Sequence, residues 1–195
     1  MRILYSDAGL VACIKPVGLD SESELPAALK EAIGGEIFPI HRLDKNVGGV
    51  MVYARTKNAA AALSKAVQES TMVKEYVAMV HGTPPEAGDW EDYLFKDSRK
   101  NKVFVVKKER KGVKYARLEF RRLTEGEQSL VHIRLHTGRS HQIRVQFSSR
   151  GFPLVGDRKY GTRDTATAPM LSSSRITLPW NGEAKVFAAL PEWAN

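Results

Sequence analysis

With 195 residues, 43% of them apolar, the chain can bury a sizeable core and fits one domain or two closely packed halves. Its formal charge of +8 suits a polyanionic partner, and its one cysteine excludes both an internal disulfide and a thiolate metal cluster. Asp7, Lys15, Asp20, Glu22 and Glu24 interrupt the opening stretch, which leaves no run apolar enough for a secretory signal or a membrane span.

Arg2 to Tyr5 and Leu10 to Ile14 read as two short strands joined at Asp7-Ala8-Gly9, a hairpin signal. Cys13 lies in the second and is expected as a buried core thiol, in keeping with a reducing cytoplasm. Leu25 to Ile33 reads as a helix with Pro26 in its first turn and Gly34-Gly35 at its exit. Val47 to Ala54 is an apolar strand. Thr56 then stands as the N-cap of a helix from Lys57 to Glu69, whose Ala59, Ala62, Leu63, Ala66 and Val67 form one stripe. Lys74 to His81 is a strand ended by Pro84-Pro85, and Thr83 to Trp90 reads as a surface loop. Tyr115 to Leu123 and Leu130 to Leu135 alternate apolar and polar side chains, as half-buried strands do. Ser140 to Arg150 fits a helix carrying Ile143 and Phe147 at i, i+4, with Gly151 placed to cap it; Gly161 to Ala168 reads as a loop. Ile176 to Leu178 and Val186 to Ala189 are the last strands. The pattern is α+β, one domain over residues 1–195, with a largely antiparallel mixed sheet and flanking helices.

Charge is unevenly placed along this chain. Between Lys96 and Arg122 twelve Lys and Arg stand against Asp97, Glu109 and Glu119, a segment of +9, so the rest sums to −1. Such a concentration, with Lys107, Lys108, Arg110 and Lys111 at its centre, predicts a phosphate-contacting surface rather than a merely solvated face.

Two stretches are dense in polar groups. His41-Arg42-Leu43-Asp44 sets a base, a cation and an acid where a loop feeds the apolar strand; such positions carry chemistry, and a surface ion pair closing a turn has the same composition. The run His136-Thr137-Gly138-Arg139-Ser140-His141-Gln142-Ile143-Arg144 brings two imidazoles and two guanidinia to a helix start, a candidate anion site with His141 and Arg144 on one side at i, i+3. Neither a CxxC motif nor a P-loop occurs.

These stretches resemble the motifs of the RluA-type pseudouridine synthases. His41-Arg42-Leu43-Asp44 with Gly49 is similar to the family's catalytic motif, and Lys74 to Gly82 resembles the motif that supplies a stacking tyrosine, here Tyr76. Leu135 to Arg144, Gly151 to Asp157 and Tyr160-Gly161 form the longest match, Lys15-Pro16-Val17-Gly18-Leu19 resembles the opening motif, and Phe187 to Pro191 the ending. The resemblance implies the pseudouridine synthase fold with a cleft across the sheet, and a cytoplasmic, monomeric RNA isomerase that uses no metal and no cofactor. It makes Asp44 the nucleophile, Tyr76 the stacking ring and Arg144 the carboxylate's partner. Structured RNA, 23S rRNA or tRNA, is the implied partner. His41, Arg42, Arg139 and His141 are expected to contact it beside the basic run, with Arg42 filling the space of the extruded base. No S4-type RNA-binding domain is expected before Arg2. Where the family usually has Thr-Ser-Gly after the aspartate this chain has Val47-Gly48-Gly49, which removes a hydroxyl and is expected to loosen the start of the strand.

The chemistry asks for these residue types. Converting uridine to pseudouridine breaks the N-glycosidic bond, turns the base and joins C5 to the ribose, with no redox change. A carboxylate can add to C6 of the base or assist departure of the base from C1′. It must be ionised, and a guanidinium at contact distance favours that form. Extruding the uridine costs a few kcal/mol, and stacking on a ring returns about 1–3 kcal/mol. Two other classes compete: a metal- or histidine-dependent RNA phosphodiesterase built on His136 and His141, and a non-catalytic RNA-binding module. The sequence has no metal-ligand set of recognisable spacing for the first, and an acid in a phosphate site argues against the second.

Overall fold

Asp7 closes the first hairpin. Its Oδ1 accepts the backbone N–H groups of Gly9 and Leu10 at 2.8 and 2.7 Å, so β1 (Arg2–Ser6) returns as antiparallel β2 (Leu10–Lys15). The computed structural model describes residues 1–194, whose contacts divide into two units, Met1–Lys74 with Ser172–Trp193, and Glu75–Leu171.

In the first unit α1 (Glu24–Ile33) stops at Gly34, whose φ of 68° favours glycine. A two-residue β3 (Phe38–Pro39) leads through the Asp44 loop to β4 (Gly48–Ala54), buried at every position. Thr56 accepts the Ala59 N–H at 3.1 Å and so starts α2 (Lys57–Gln68) where expected. Near the other end of the chain, β10 (Leu171–Trp180) and β11 (Glu183–Ala188) complete the unit. β2 and β3 pair antiparallel with β4, whereas β10 pairs with it in parallel. The Leu63 side of α2 packs on Leu10, Val50, Val52, Ile176 and Leu178. Each such side chain stabilises the fold by about 1.5–3 kcal/mol.

In the second unit β5 (Val73–His81) is followed by β6 (Ala87–Asp97), β7 (Lys102–Val106), β8 (Val113–Arg122) and β9 (Gln128–Leu135). β6 pairs antiparallel with both β7 and β8, and β8 with β9. Ala87 to Trp90, expected as loop, is therefore the start of a long strand. Gly88 permits it, because any Cβ there would collide with the Phe120 ring across the pair. Trp90, Phe120 and Phe147 form the aromatic centre, with ring centroids 4.3 to 5.2 Å apart. Phe147 belongs to α3 (Gln142–Ser148), shorter than expected because His141 holds a left-handed backbone with φ of 52°. The expected α+β, mostly antiparallel mixed architecture is the one observed.

Candidate active site

Asp44 stands at the head of a turn closed by Val47 N–H donating to its carbonyl at 2.9 Å. The chain before it is fixed by Ser21, whose Oγ donates to the Leu43 carbonyl at 2.9 Å and accepts the Leu43 N–H at 3.1 Å. The chain after it is fixed by Lys15, only 1% exposed at the end of β2. Its ammonium donates to the carbonyls of Pro16, Lys45 and Val47 at 3.0, 3.0 and 2.8 Å, using all three N–H bonds. Burial pushes this group down to about 8, against the pull of Asp20 and Asp44. Gly49 adds a third constraint. Its φ is 115° and a Cβ there would collide with the Ser173 backbone, so only glycine fits at this point in the start of β4. Arg42 is exposed, 3.4 Å from Glu22. His41 accepts the Val52 N–H on Nε2 at 3.1 Å, and burial, then the charge of Lys74, pushes the ring down to about 3.

In the second unit the Gln142 side chain ties down the loop that leads into α3, accepting from Arg139 N–H and Thr137 Oγ1 at 3.0 and 2.8 Å and donating to the Arg117 carbonyl at 3.1 Å. Arg144 is 6% exposed and donates from Nε and one Nη to the carboxylate of Asp157, itself 1% exposed, at 2.7 and 2.8 Å. Its guanidinium also lies 5.2 Å from the centre of the Tyr160 ring. His141 Nδ1 is 2.8 Å from Tyr160 Oη, which accepts the Val103 N–H at 2.9 Å. Thus His141 and Arg144 do share one side, and Tyr160 lies under both. Tyr76, on β5, is 5% exposed. Arg139 donates to the Tyr115 carbonyl at 2.8 Å, and His136 Nε2 lies 2.9 Å from Glu119, out of line for a hydrogen bond. Lys107, Lys108, Arg110 and Lys111 stand together on the exposed connection between β7 and β8, with Arg110 over the Phe95 ring at 5.4 Å.

Residues 10–149, which include the Asp44 turn, β5 and all of α3, match the family model described as RNA pseudouridylate synthase. The chain belongs to that family. It is of the RluA type. Among relatives of this RNA pseudouridylate synthase family member, a tRNA pseudouridine synthase C of Haemophilus ducreyi is 34% identical over 83% of this chain and 74% of its own. A ribosomal large subunit pseudouridine synthase D of Zymomonas mobilis is 31% identical over 89% of this chain and 60% of its own. An RNA pseudouridine synthase of Chloroflexus aurantiacus is 41% identical over 68% of this chain, which spans only 42% of that relative's length. The solved structure of human RNA pseudouridylate synthase domain containing 4 superposes with a TM-score of 0.83 over 98% of this chain and 89% of its own, at 24% identity, a likeness of fold.

Three residues that support either the Asp44 turn or Arg144 carry no clear signal in the sequence. Lys15 and Asp157 lie inside family-like motifs, yet nothing in their spacing says that one clamps a turn and the other neutralises Arg144 from 13 residues away. Tyr160 carries a similar weak signal, an aromatic ring in a polar turn.

Proposed function

We propose that this chain isomerises a uridine of structured RNA to pseudouridine, with Asp44 as nucleophile. The observation that carries the reading is the construction of the Asp44 turn: an ammonium buried on three carbonyls and a buried serine hold one half-buried carboxylate in place, within the region that matches the family. A turn closing an ordinary surface ion pair has no need of a buried charge behind it. In the reaction the bond from N1 to C1′ breaks, the base rotates, and C5 bonds to C1′. The C5 hydrogen leaves as a proton and N1 takes one up, so the product is an isomer. Asp44 forms the transient bond, at C6 or at C1′. Tyr76 supplies the flat apolar face for the extruded base, and Arg144 favours the ionised carboxylate.

Arg144 is able to do this without itself being a lone buried charge, because Asp157 balances it. Arg42, exposed beside Asp44, fills the stack that the uridine leaves. Arg139 and His141 border the same helix start, and Lys107, Lys108, Arg110 and Lys111 draw in the phosphates. The substrate is ribosomal large-subunit RNA or tRNA, in line with the names of the relatives. The test is a map of pseudouridines in total RNA from cells with and without this gene, repeated in vitro with purified protein in excess EDTA. One site that disappears without the gene and returns under EDTA is expected. Turnover restored only by a transition metal would overturn the cofactor-free mechanism.

A further inference from the structure

On one edge β4 is fully paired with β2, from Gly49 opposite Lys15 to Ala54 opposite Leu10. The other edge is shared between β3, opposite Tyr53 and Ala54, and β10, opposite Gly48 and Gly49. Between those two partners no strand among the described residues reaches Val52, which is fully buried. A buried N–H left unpaired there costs about 1–3 kcal/mol. The imidazole of His41 takes that N–H on Nε2.

We infer that His41 is the positioning residue of the Asp44 turn, its neutral imidazole standing in for the strand that β4 lacks beside Val52. The inference rests on the reading of Asp44 as nucleophile. An Nε2 that accepts a hydrogen bond carries no proton, so the neutral ring holds its proton on Nδ1. That nitrogen is buried and has no hydrogen-bond partner among the described residues. Protonating Nε2 would turn the acceptor into a donor facing a donor and break the contact with Val52. The ring is thereby unsuited to act as a phosphate-binding cation or as a base through Nε2. What it does is fasten the chain to β4 three residues ahead of Asp44. Ser21 grips the chain again at Leu43, and Lys15 grips it beyond Asp44 at Lys45 and Val47. Reactions of oriented groups lose about a hundredfold in rate for a displacement near 1 Å, so a slack His41 is felt at the carboxylate and not in RNA affinity.

His41→Gln and His41→Leu separate these effects, because the Gln Oε1 occupies the place of Nε2 as an acceptor while Leu fills the space without one. The probe is RNA from cells lacking this gene, labelled with [5-3H]uridine, which releases tritium when C5 bonds to C1′. Single-turnover rate and filter-binding affinity are measured on the same RNA, and Val52 amide exchange is followed by NMR. His41→Leu should slow tritium release about 10- to 100-fold with affinity unchanged, and should speed Val52 exchange. His41→Gln should keep the rate within about threefold of wild type and keep Val52 protected, and imidazole 15N spectra of the wild type should show the Nδ1–H form. A normal rate in His41→Leu, a His41→Gln as slow as His41→Leu, or a loss confined to affinity would overturn the positioning role; the last would make His41 an RNA contact. Wild-type protein that releases no tritium would sink the reading of Asp44 instead, and unchanged Val52 exchange in His41→Leu would remove the strand-replacing contact whatever the activity.

Discussion

Removing the guanidinium of Arg144 strands a carboxylate in the protein interior. Asp157 is 1% exposed and receives two charge-assisted hydrogen bonds from Arg144, at 2.7 and 2.8 Å. Breaking a buried pair by truncating one partner costs about 3–5 kcal/mol, since the remaining charge stays desolvated without its counter-ion. For a chain of this size each kcal/mol lowers Tm by about 2–4 °C, which puts both Arg144→Met and Asp157→Leu roughly 6–20 °C below wild type. The double variant removes both charges and replaces them with apolar groups, so it should regain part of that loss and stand well above the sum of the two single losses. Urea unfolding at neutral pH of wild type, both single variants and the double variant gives the coupling energy directly, provided m is the same in all four. Coupling above about 2 kcal/mol is expected. Single losses under about 1 kcal/mol, or a double variant as unstable as the sum of the singles, would refute the pairing as a buried, mutually dependent unit. A fall in activity in Arg144→Met is therefore interpretable only beside Asp157→Leu, which disturbs the same pair and leaves the guanidinium in place.

Asp7 is partly buried, which works against ionisation, yet bonds from Trp180, Tyr5, Gly9 and Leu10 outweigh this and hold it at about 2, below its ordinary 3.8. Its contribution is present above pH 3.8 and lost as pH falls through 2; the stability gap between wild type and Asp7→Asn should shrink across that window, and a constant gap would contradict the assignment. Lys15 is lowered by burial from 10.5 to about 8, so the unfolded chain binds the extra proton between those values and stability should rise with pH across them. Lys15→Met should abolish that rise and speed amide exchange around Lys45 to Val47; an identical pH slope in the variant would refute it. Replacing Lys107, Lys108, Arg110 and Lys111 with Gln should weaken RNA binding and flatten the salt dependence by roughly 0.7–0.9 in log–log slope for each phosphate no longer neutralised, without moving the modified site. An unchanged slope would return this run to a solvated surface.

Elements whose signals are local were legible in the sequence. The Asx turn at Asp7, the N-cap Thr56, the exit Gly34 and the apolar run of β4 each state their structure within a few residues. β6 was hidden because its inward positions include Asp92, which breaks the apolar alternation and is satisfied by Gln146 and Arg150 from over fifty residues away. β7 lies inside the basic run, where charge masks a five-residue strand. The start of α3 was misplaced for a reason of the same kind: the Gln142 side chain and the left-handed His141 take up the turn that a longer helix would occupy. The proposed chemistry-bearing residues Asp44, Tyr76 and Arg144 could be nominated from motifs. Their supports could not, since Lys15 reaches across 30 and 32 residues to its carbonyls and Asp157 is bound to Arg144 through the folded chain alone.

Asp44→Asn tests the central claim most directly. The amide keeps the shape of the side chain and is too poor a nucleophile to form the adduct, so tritium release from [5-3H]uridine-labelled RNA should vanish. Loss of a negative charge should leave RNA affinity equal or tighter, measured on the same RNA under the same salt. Binding without turnover is the predicted result. Pseudouridine formed by Asp44→Asn at a rate near that of the wild type would contradict the account.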